Sequence, residues 1–228
     1  MSVAAVVLAA GIGRRFKSKV PKAFVLLGGR PVMAHSLEVF GRRKEISQII
    51  VVTAPRLMRT ARSLLARMGL ARAKVVAGGA RRQDSVANAL KTLGPGIDLV
   101  LIHDAARPFI DASLVAKLTA AARASGAALL AVPAKSTIKS VRPRGRGLAV
   151  AGTLDRSSLW EAQTPQAFET ALLRKAYGRY GRQAVTDDAT LVERLGHIVT
   201  VVEGSYSNIK ITTPEDLAIA RALLKGKK

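Results

Sequence analysis

The sequence contains no cysteine, few aromatic residues (4%) and few acids, with 15 Asp and Glu against 37 Lys and Arg in 228 residues. Without cysteine, disulfides and thiolate metal sites are excluded, which fits a reducing compartment. Three histidines without ligand spacing argue against a zinc centre. The lack of both a Gly-x-Ser-x-Gly elbow and a cysteine nucleophile argues against a covalent hydrolase. No apolar stretch is long enough to span a bilayer. The apolar start lacks a basic leader and runs straight into a glycine loop, unlike a secretory signal. The expected location is therefore cytoplasmic, with no membrane partner. With so few aromatics, a hydrophobic content of 49% implies a core of Ala, Val, Leu and Ile. The length suits a single α/β domain over 1–228.

Acid scarcity leaves a formal net charge of +22, which on electrostatics alone permits binding to nucleic acid. The cations are scattered, however, at Arg42-Arg43-Lys44, at Arg81-Arg82, over 142–146 and over 225–228. No zinc-finger spacing or RNA-recognition aromatic motif accompanies them. Most of this charge reads as solvated surface, partly recruited for phosphates, and no specific nucleic-acid partner is expected.

The most informative segment is Leu8-Ala9-Ala10-Gly11-Ile12-Gly13-Arg14-Arg15-Phe16, followed by Pro21-Lys22. It follows the apolar run Ala4-Ala5-Val6-Val7, which reads as a buried strand. Two glycines let backbone N–H groups approach a ligand and form an anion-binding concavity. Arg14, Arg15 and Lys22 add three cations, which suits a triphosphate. Phe16 stands where a dinucleotide fingerprint needs its third glycine, and no Gly-Lys-Ser/Thr follows as a Walker A loop requires. A solvated turn is the bland alternative. The preceding strand and Pro21-Lys22 favour a nucleotide site.

Strand-like apolar runs at about 3–8, 47–53, 73–77, 98–102, 127–132 and 198–202 alternate with helical patterns, as in a parallel sheet with crossover helices. Helices are expected from Met33 to Phe40, Leu57 to Met68, Asp84 to Leu93, Ala112 to Ala124 and Pro214 to Leu224. Thr213-Pro214-Glu215-Asp216 gives the last of them an N-cap, a proline at its first position and first-turn acids. Residues 135–141 and 148–154 flank Arg142-Pro143-Arg144-Gly145-Arg146-Gly147 and read as a hairpin with a basic tip. A lone two-stranded hairpin is marginal in water, so this arm, at about 134–156, should lie on its own domain or on a second subunit.

Three strand-to-helix turns carry the candidate chemistry. Besides the glycine loop, His103-Asp104-Ala105-Ala106-Arg107-Pro108 follows a strand and supplies an acid for a cation and an arginine for a phosphate. Gly78-Gly79-Ala80-Arg81-Arg82-Gln83-Asp84-Ser85 offers backbone amides and a hydroxyl for a base edge, with Arg82 for a phosphate. Read alone, either turn could be an ordinary capped helix start. Thr164-Pro165-Gln166, Thr186-Asp187-Asp188 and Asn208-Ile209-Lys210 read as small polar groups in loops. His35 and His197 read as helix-face and strand-end residues, and Trp160 as core or hairpin packing.

Taken in order, Leu8-Ala9-Ala10-Gly11-x-Gly13-Arg14-Arg15, Pro21-Lys22, Gly78-Gly79 with Asp84-Ser85-Val86, His103-Asp104-Ala105-Ala106-Arg107-Pro108, Asp155-Arg156, Thr164-Pro165-Gln166, Thr186-Asp187 and Asn208-Ile209-Lys210 resemble the 2-C-methyl-D-erythritol 4-phosphate cytidylyltransferase family. The resemblance runs from about Val3 to Leu224. It implies a Rossmann-like, mostly parallel sheet with flanking helices and a protruding β-hairpin arm, CTP as co-substrate, Mg²⁺ as cofactor, and a homodimer with exchanged arms. It implies that Ala9, Ala10, Gly11, Gly13, Gly79, Arg82 and Ser85 hold the nucleotide and that Arg15 and Lys22 grip its triphosphate. Asp104 would stand between nucleotide and acceptor, helping with a Mg²⁺ held mainly by the CTP phosphates. Arg107, Thr164, Thr186 and Lys210 would line the acceptor pocket, and Thr137 and Arg156 would reach into the partner's site.

The nucleophile in such a reaction is a phosphate monoester, anionic near neutral pH, so no general base is needed. Catalysis reduces to aligning two anions and stabilising charge at the α-phosphorus, for which Arg15, Lys22 and Lys210 are the candidates. Ser207 stands where the family often has Asp, and Ala80 where an acid is common. Ribitol-phosphate cytidylyltransferases share the glycine loop and Pro-Lys but tend to carry valine at the position of Ala106. Ala106 therefore favours methylerythritol phosphate. The chain ends soon after its last helix and reads as stand-alone.

Overall fold

The computed structural model describes residues 2–11, 16, 20–71 and 73–226. The first strand, β1 (Ser2–Ala9), is apolar on both faces and lies in the middle of a sheet. Along it Val3, Ala5 and Val7 face one helical layer and Ala4 and Val6 the other, the two-residue period of a strand buried on both sides. A small hairpin, β2 (Leu26–Leu27) and β3 (Arg30–Pro31), leads into α1 (Val32–Gly41). Then come β4 (Ile46–Thr53), α2 (Met58–Arg67), β5 (Lys74–Ala77), α3 (Arg82–Lys91) and β6 (Ile97–Asp104). The chain continues through α4 (Ala112–Ser125), β7 (Ala127–Pro133), the hairpin β8 (Ile138–Arg144) and β9 (Gly147–Leu154), and β10 (Trp160–Glu169). It closes with α5 (Thr170–Tyr180), α6 (Ala189–Glu193), β11 (Thr200–Glu203) and α7 (Pro214–Lys225).

The central sheet has seven strands in the order β11-β7-β10-β6-β1-β4-β5. All pairings are parallel except those of β10, which runs antiparallel to both β6 and β7. Helices α1, α2 and α4 cover one face through Leu37, Phe40, Leu65 and Leu118, and α3, α5 and α6 cover the other through Val86, Leu173 and Leu191. Each such side chain, fully withdrawn from water, contributes roughly 1.5–3 kcal/mol before entropy is counted. Residues Phe16, Leu27, Val32, Phe109, Ile211 and Leu217 form a third cluster that fastens α7 against β2 and the start of α1. Thr213 Oγ1 accepts from the Asp216 amide at 3.4 Å and Asp216 Oδ2 accepts from the Thr213 amide at 2.9 Å, so the expected cap on α7 is formed.

Four expectations need correction. The antiparallel β10 occupies the middle of the sheet, whereas Thr164-Pro165-Gln166 was expected in a loop. Polar side chains, a proline and a register shift between Ala162 and Gln166 hide the strand period. Helices α5 and α6 were not expected: α5 carries a glycine and three cations among its apolar residues, and α6 is only five residues long. Strand β6 runs through Asp104, so His103 and Asp104 belong to the strand and not to the turn. Trp160 opens β10 with 44% of its surface exposed and is not core.

Hairpin β8–β9 forms its own two-stranded sheet and leaves Leu148 72% and Val150 60% exposed. It does not fold back onto its own domain.

Candidate active site

Strand β1 has β4 on one side and β6 on the other, and the chain reverses its direction of progress across the sheet there. Open α/β sheets bind ligands outside the carboxyl ends of strands at such a switch point. A cleft of about 480 Å³ lies there, lined by Leu8 to Gly11 after β1, Lys22, Gly78 to Arg82 and Ser85 at the start of α3, Asp104 to Ala106 after β6, and Lys210. Leu8 is paired with Asp104 in the sheet, which sets the carboxyl ends of β1 and β6 side by side.

The Gly78-Gly79 turn packs against the end of β1. A Cβ on Gly78 would fall 2.4 Å from the Ala10 Cβ, so a larger residue would push the two walls apart. The Gly79 amide donates to Ser85 Oγ at 3.1 Å, and that hydroxyl donates to the Arg81 carbonyl at 3.3 Å. Ser85 therefore spends its hydroxyl shaping the turn.

Asp104 is the carboxylate that two of the cleft cations, Arg82 and Lys210, share. Its Oδ2 is 2.5 Å from Lys210 Nζ and its Oδ1 3.4 Å from Arg82 Nε. Burial pushes this carboxyl up, but Arg82 and Lys210 more than offset it and hold it well below the usual carboxylate range. The Asp104 amide donates to Thr164 Oγ1 at 3.0 Å. Arg82 also donates from Nη1 to Asp188 Oδ2 at 2.7 Å. Burial works against the Arg82 charge, yet Asp188 and Asp104 hold its pKa above the ordinary arginine value.

His103, fully buried, places Nε2 3.0 Å from the Arg107 carbonyl and Nδ1 3.4 Å from Thr164 Oγ1. Burial pushes its pKa down to about 4. It serves as a neutral brace between β6 and β10, with Phe40 edge-on at 5.2 Å.

Arg107 donates from Nη1 to the Asn208 carbonyl at 2.7 Å and from Nη2 to the Ala162 carbonyl at 3.3 Å. In this conformation it is a strut for the loop carrying Lys210. Asn208, wholly buried, donates to Gln163 Oε1 at 3.1 Å and to the Thr164 carbonyl at 3.0 Å, which pins the same loop to β10. Ser207 stays within its turn, its hydroxyl 2.8 Å from that of Ser205.

The fold thus brings together Ala9, Ala10, Gly11, Lys22, Gly79, Arg82, Ser85, Asp104 and Lys210. Thr164 supports Asp104 from behind. Thr186 and Thr137 are exposed and do not line the cleft. Arg156 is exposed below the hairpin, its guanidinium donating to the Lys135 carbonyl. Gly13, Arg14 and Arg15 lie outside the described residues. The buried Asp188, Gln166 and Asn208 were not singled out as site residues; their motifs were visible, but nothing local marked them as buried.

The 2-C-methyl-D-erythritol 4-phosphate cytidylyltransferase family profile matches residues 3–226. The chain belongs to that family. It is 45% identical over 230 residues to the cytidylyltransferase of that name from Bacillus velezensis, covering 99% of this chain and 97% of the relative. It is 44% identical over 225 residues to a bifunctional enzyme IspD/IspF from Desulfotalea psychrophila, of which the match spans 57%. Among solved structures, the 4-diphosphocytidyl-2C-methyl-D-erythritol synthase of Anaerococcus prevotii superposes with a TM-score of 0.86 at 35% identity, over 98% of this chain and 96% of that one. The Thermus thermophilus cytidylyltransferase does so with 0.78 at 36%, over 96% and 98%. The mixed sheet with flanking helices is thus the fold of the methylerythritol phosphate cytidylyltransferase structures it superposes on.

Proposed function

We propose that the chain joins CTP and 2-C-methyl-D-erythritol 4-phosphate, giving 4-diphosphocytidyl-2-C-methyl-D-erythritol and pyrophosphate in non-mevalonate isoprenoid biosynthesis. The observation that carries this reading is one cleft at the switch point of the sheet, lined by Ala9 to Gly11, Gly78-Gly79 and Lys22, with Arg82 and Lys210 paired to Asp104 in it. Ala106, the position that favours methylerythritol over ribitol phosphate, lines the same cleft.

A phosphate oxygen of the acceptor attacks the α-phosphorus of CTP, the bond from that phosphorus to the bridging oxygen breaks, and pyrophosphate departs with the electron pair. The attacking oxygen carries no proton to be removed. The protein's task is to hold two polyanions in line and to offset the developing charge. The backbone of Ala9 to Gly11 and Gly79 receives the nucleotide, while Arg15 and Lys22 grip the triphosphate. Lys210, held at the cleft wall by Asp104, faces the acceptor phosphate, and Arg107 and Thr164 keep that wall in place. Thr137, Arg156 and Thr186 complete the acceptor pocket between subunits.

Among the described residues no group of three or more His, Asp or Glu could hold a metal ion, and the cleft lining offers one carboxylate, Asp104. That donor set fits Mg²⁺, which is commonly bound by one or two carboxylates together with substrate phosphates. When bound it supplies charge neutralisation at the triphosphate.

Exposed apolar side chains on β8–β9 support a homodimer in which each hairpin reaches the partner. Among the described residues no helix is long and apolar enough to cross a membrane, and the proposed location is the cytoplasm.

The test is pyrophosphate release with CTP and Mg²⁺, offering methylerythritol 4-phosphate and ribitol 5-phosphate in parallel. Turnover with the former alone is expected. Turnover with the latter alone would overturn the acceptor assignment, and turnover with neither would overturn the cytidylyl-transfer reading.

A further inference from the structure

We propose that Asp188, which lies behind the cleft wall, is a positioning residue that holds Arg82 in the orientation that receives the nucleotide. The inference rests on the CTP reading above and extends it to a carboxylate that does not line the cleft.

Asp188 is wholly buried and fixed by three elements. From β10, Gln166 Oε1 accepts the Asp188 and Ala189 amides, each at 3.2 Å. From α5, the Tyr177 hydroxyl donates to Asp188 Oδ1 at 2.5 Å. From α3, Arg82 Nη1 donates to Oδ2 at 2.7 Å. The result is one continuous line, Tyr177–Asp188–Arg82–Asp104–Lys210, running from the back of the domain into the cleft.

Stability alone does not account for this arrangement. Withdrawing an ion pair from water costs most of what the pair returns, and apolar side chains of similar volume often serve a fold as well or better. Arg82 also ends unevenly satisfied. Its Nη1 is bonded at 2.7 Å and its Nε only at 3.4 Å, while Nη2 is buried without a hydrogen-bond partner among the described residues. An unmet buried donor typically costs about 1–3 kcal/mol. Arg82 lines the cleft with 28% of its side chain exposed, so an anionic oxygen of the nucleotide that reaches the guanidinium gives it an acceptor it lacks here.

Asp188 makes that geometry hold by engaging Nη1 from behind. Without its charge, the nearest remaining anion for Arg82 is Asp104. Arg82 would then close the 3.4 Å gap, form a tighter pair there and draw its guanidinium away from the ligand.

The experiment measures CTP binding by calorimetry and steady-state kinetics for the unaltered chain and for Asp188→Asn, Tyr177→Phe, Arg82→Met and the Asp188→Asn/Arg82→Met double variant. In Asp188→Asn, Kd and KM for CTP should rise about tenfold or more, while kcat changes less than about threefold and the acceptor KM holds. Arg82→Met should weaken CTP to a similar extent, and Asp188→Asn should add nothing in that background, since it acts through Arg82. Tyr177→Phe, which keeps the charge pair, should weaken CTP about two- to threefold.

A CTP Kd within twofold of the unaltered chain in Asp188→Asn would overturn the proposal, as would effects of the two single changes that multiply. If Asp188→Asn does not fold, an unchanged CTP Kd in Tyr177→Phe overturns it. Failure of the functional reading is seen separately, in the unaltered chain. CTP bound without turnover of methylerythritol phosphate would remove the acceptor assignment and leave the Kd comparison decisive. No CTP binding at all would remove both.

Discussion

Lys210 Nζ lies 2.5 Å from Asp104 Oδ2, so the loop after β11 is tied to the carboxyl end of β6 at the wall of the cleft. The pair holds an ammonium at the wall of that cleft. Removing it should reach the chemistry more than the fold, because the Lys210 side chain is 40% exposed and Arg82 remains on Asp104. Lys210→Ala is expected to lower kcat about 100-fold and, allowing for solvent screening, to cost stability no more than about 1 kcal/mol. Single-turnover rates and urea melts check both. A kcat within threefold would remove Lys210 from the catalytic set.

Lys22 lines the same cleft from the 3₁₀ turn Lys22–Phe24. Lys22→Ala should lose most turnover and bind CTP more weakly while melting normally. Isothermal titration with CTP and the pyrophosphate assay together test this. Near-normal activity would refute the triphosphate assignment.

His103 makes the fold sensitive to pH in a defined window. Burial lowers its pKa from 6.5 to about 4, so the unfolded chain takes up a proton below pH 6.5 that the folded chain refuses until about pH 4. The stability this neutral histidine contributes is full above pH 6.5 and is lost as the pH falls through that window, by roughly 3 kcal/mol in total. Asp104, depressed below the usual range, adds its own loss only at lower pH, below the ordinary carboxylate pKa. Urea midpoints measured from pH 7.5 to 4 should fall more steeply for the unaltered chain than for His103→Gln. Parallel slopes would show that His103 is not the titrating group.

A Cβ on Gly79 would meet the Asp84 Cβ at 2.4 Å and its carbonyl carbon at 3.1 Å. Gly79→Ala must therefore shift the turn that opens α3, at a cost of about 1–3 kcal/mol. If the turn holds the nucleotide as proposed, the KM for CTP should rise about tenfold with a smaller change in kcat. An unchanged KM would separate this turn from the nucleotide.

The hairpin should hold two copies together. Replacing both Leu148 and Val150 by Asp puts charges on its exposed apolar surface without touching the central sheet. Sedimentation should show a dimer for the unaltered chain and a monomer for the variant, with reduced activity if Thr137 and Arg156 act across the interface. A unaltered chain that sediments as a monomer would refute the exchanged-arm dimer.

Much of this was written locally. The apolar run of β1, the capping pattern before α7 and the glycine pairs at 11 and 13 and at 78 and 79 depend on neighbours a few positions apart, and a sequence displays such relations directly. The basic, turn-rich segment between two strand-like runs likewise marked the hairpin that β8 and β9 form. Arg15 and Gly13 were equally legible as motif residues, although they lie outside the described residues.

Tertiary structure decided what those groups meet. The sequence did not show that β10 would enter antiparallel between β6 and β7, because that strand is stabilised by neighbours on both sides more than by its own pattern. Nor did it show that Arg82, Asp104, Asp188 and Lys210 would form one line, or that Arg107 would brace a loop rather than point into the cleft. Local periodicity fixes which face of an element is apolar. The order of strands in the sheet fixes which distant charges share a low-dielectric site, and only there do their partners and pKa values take shape.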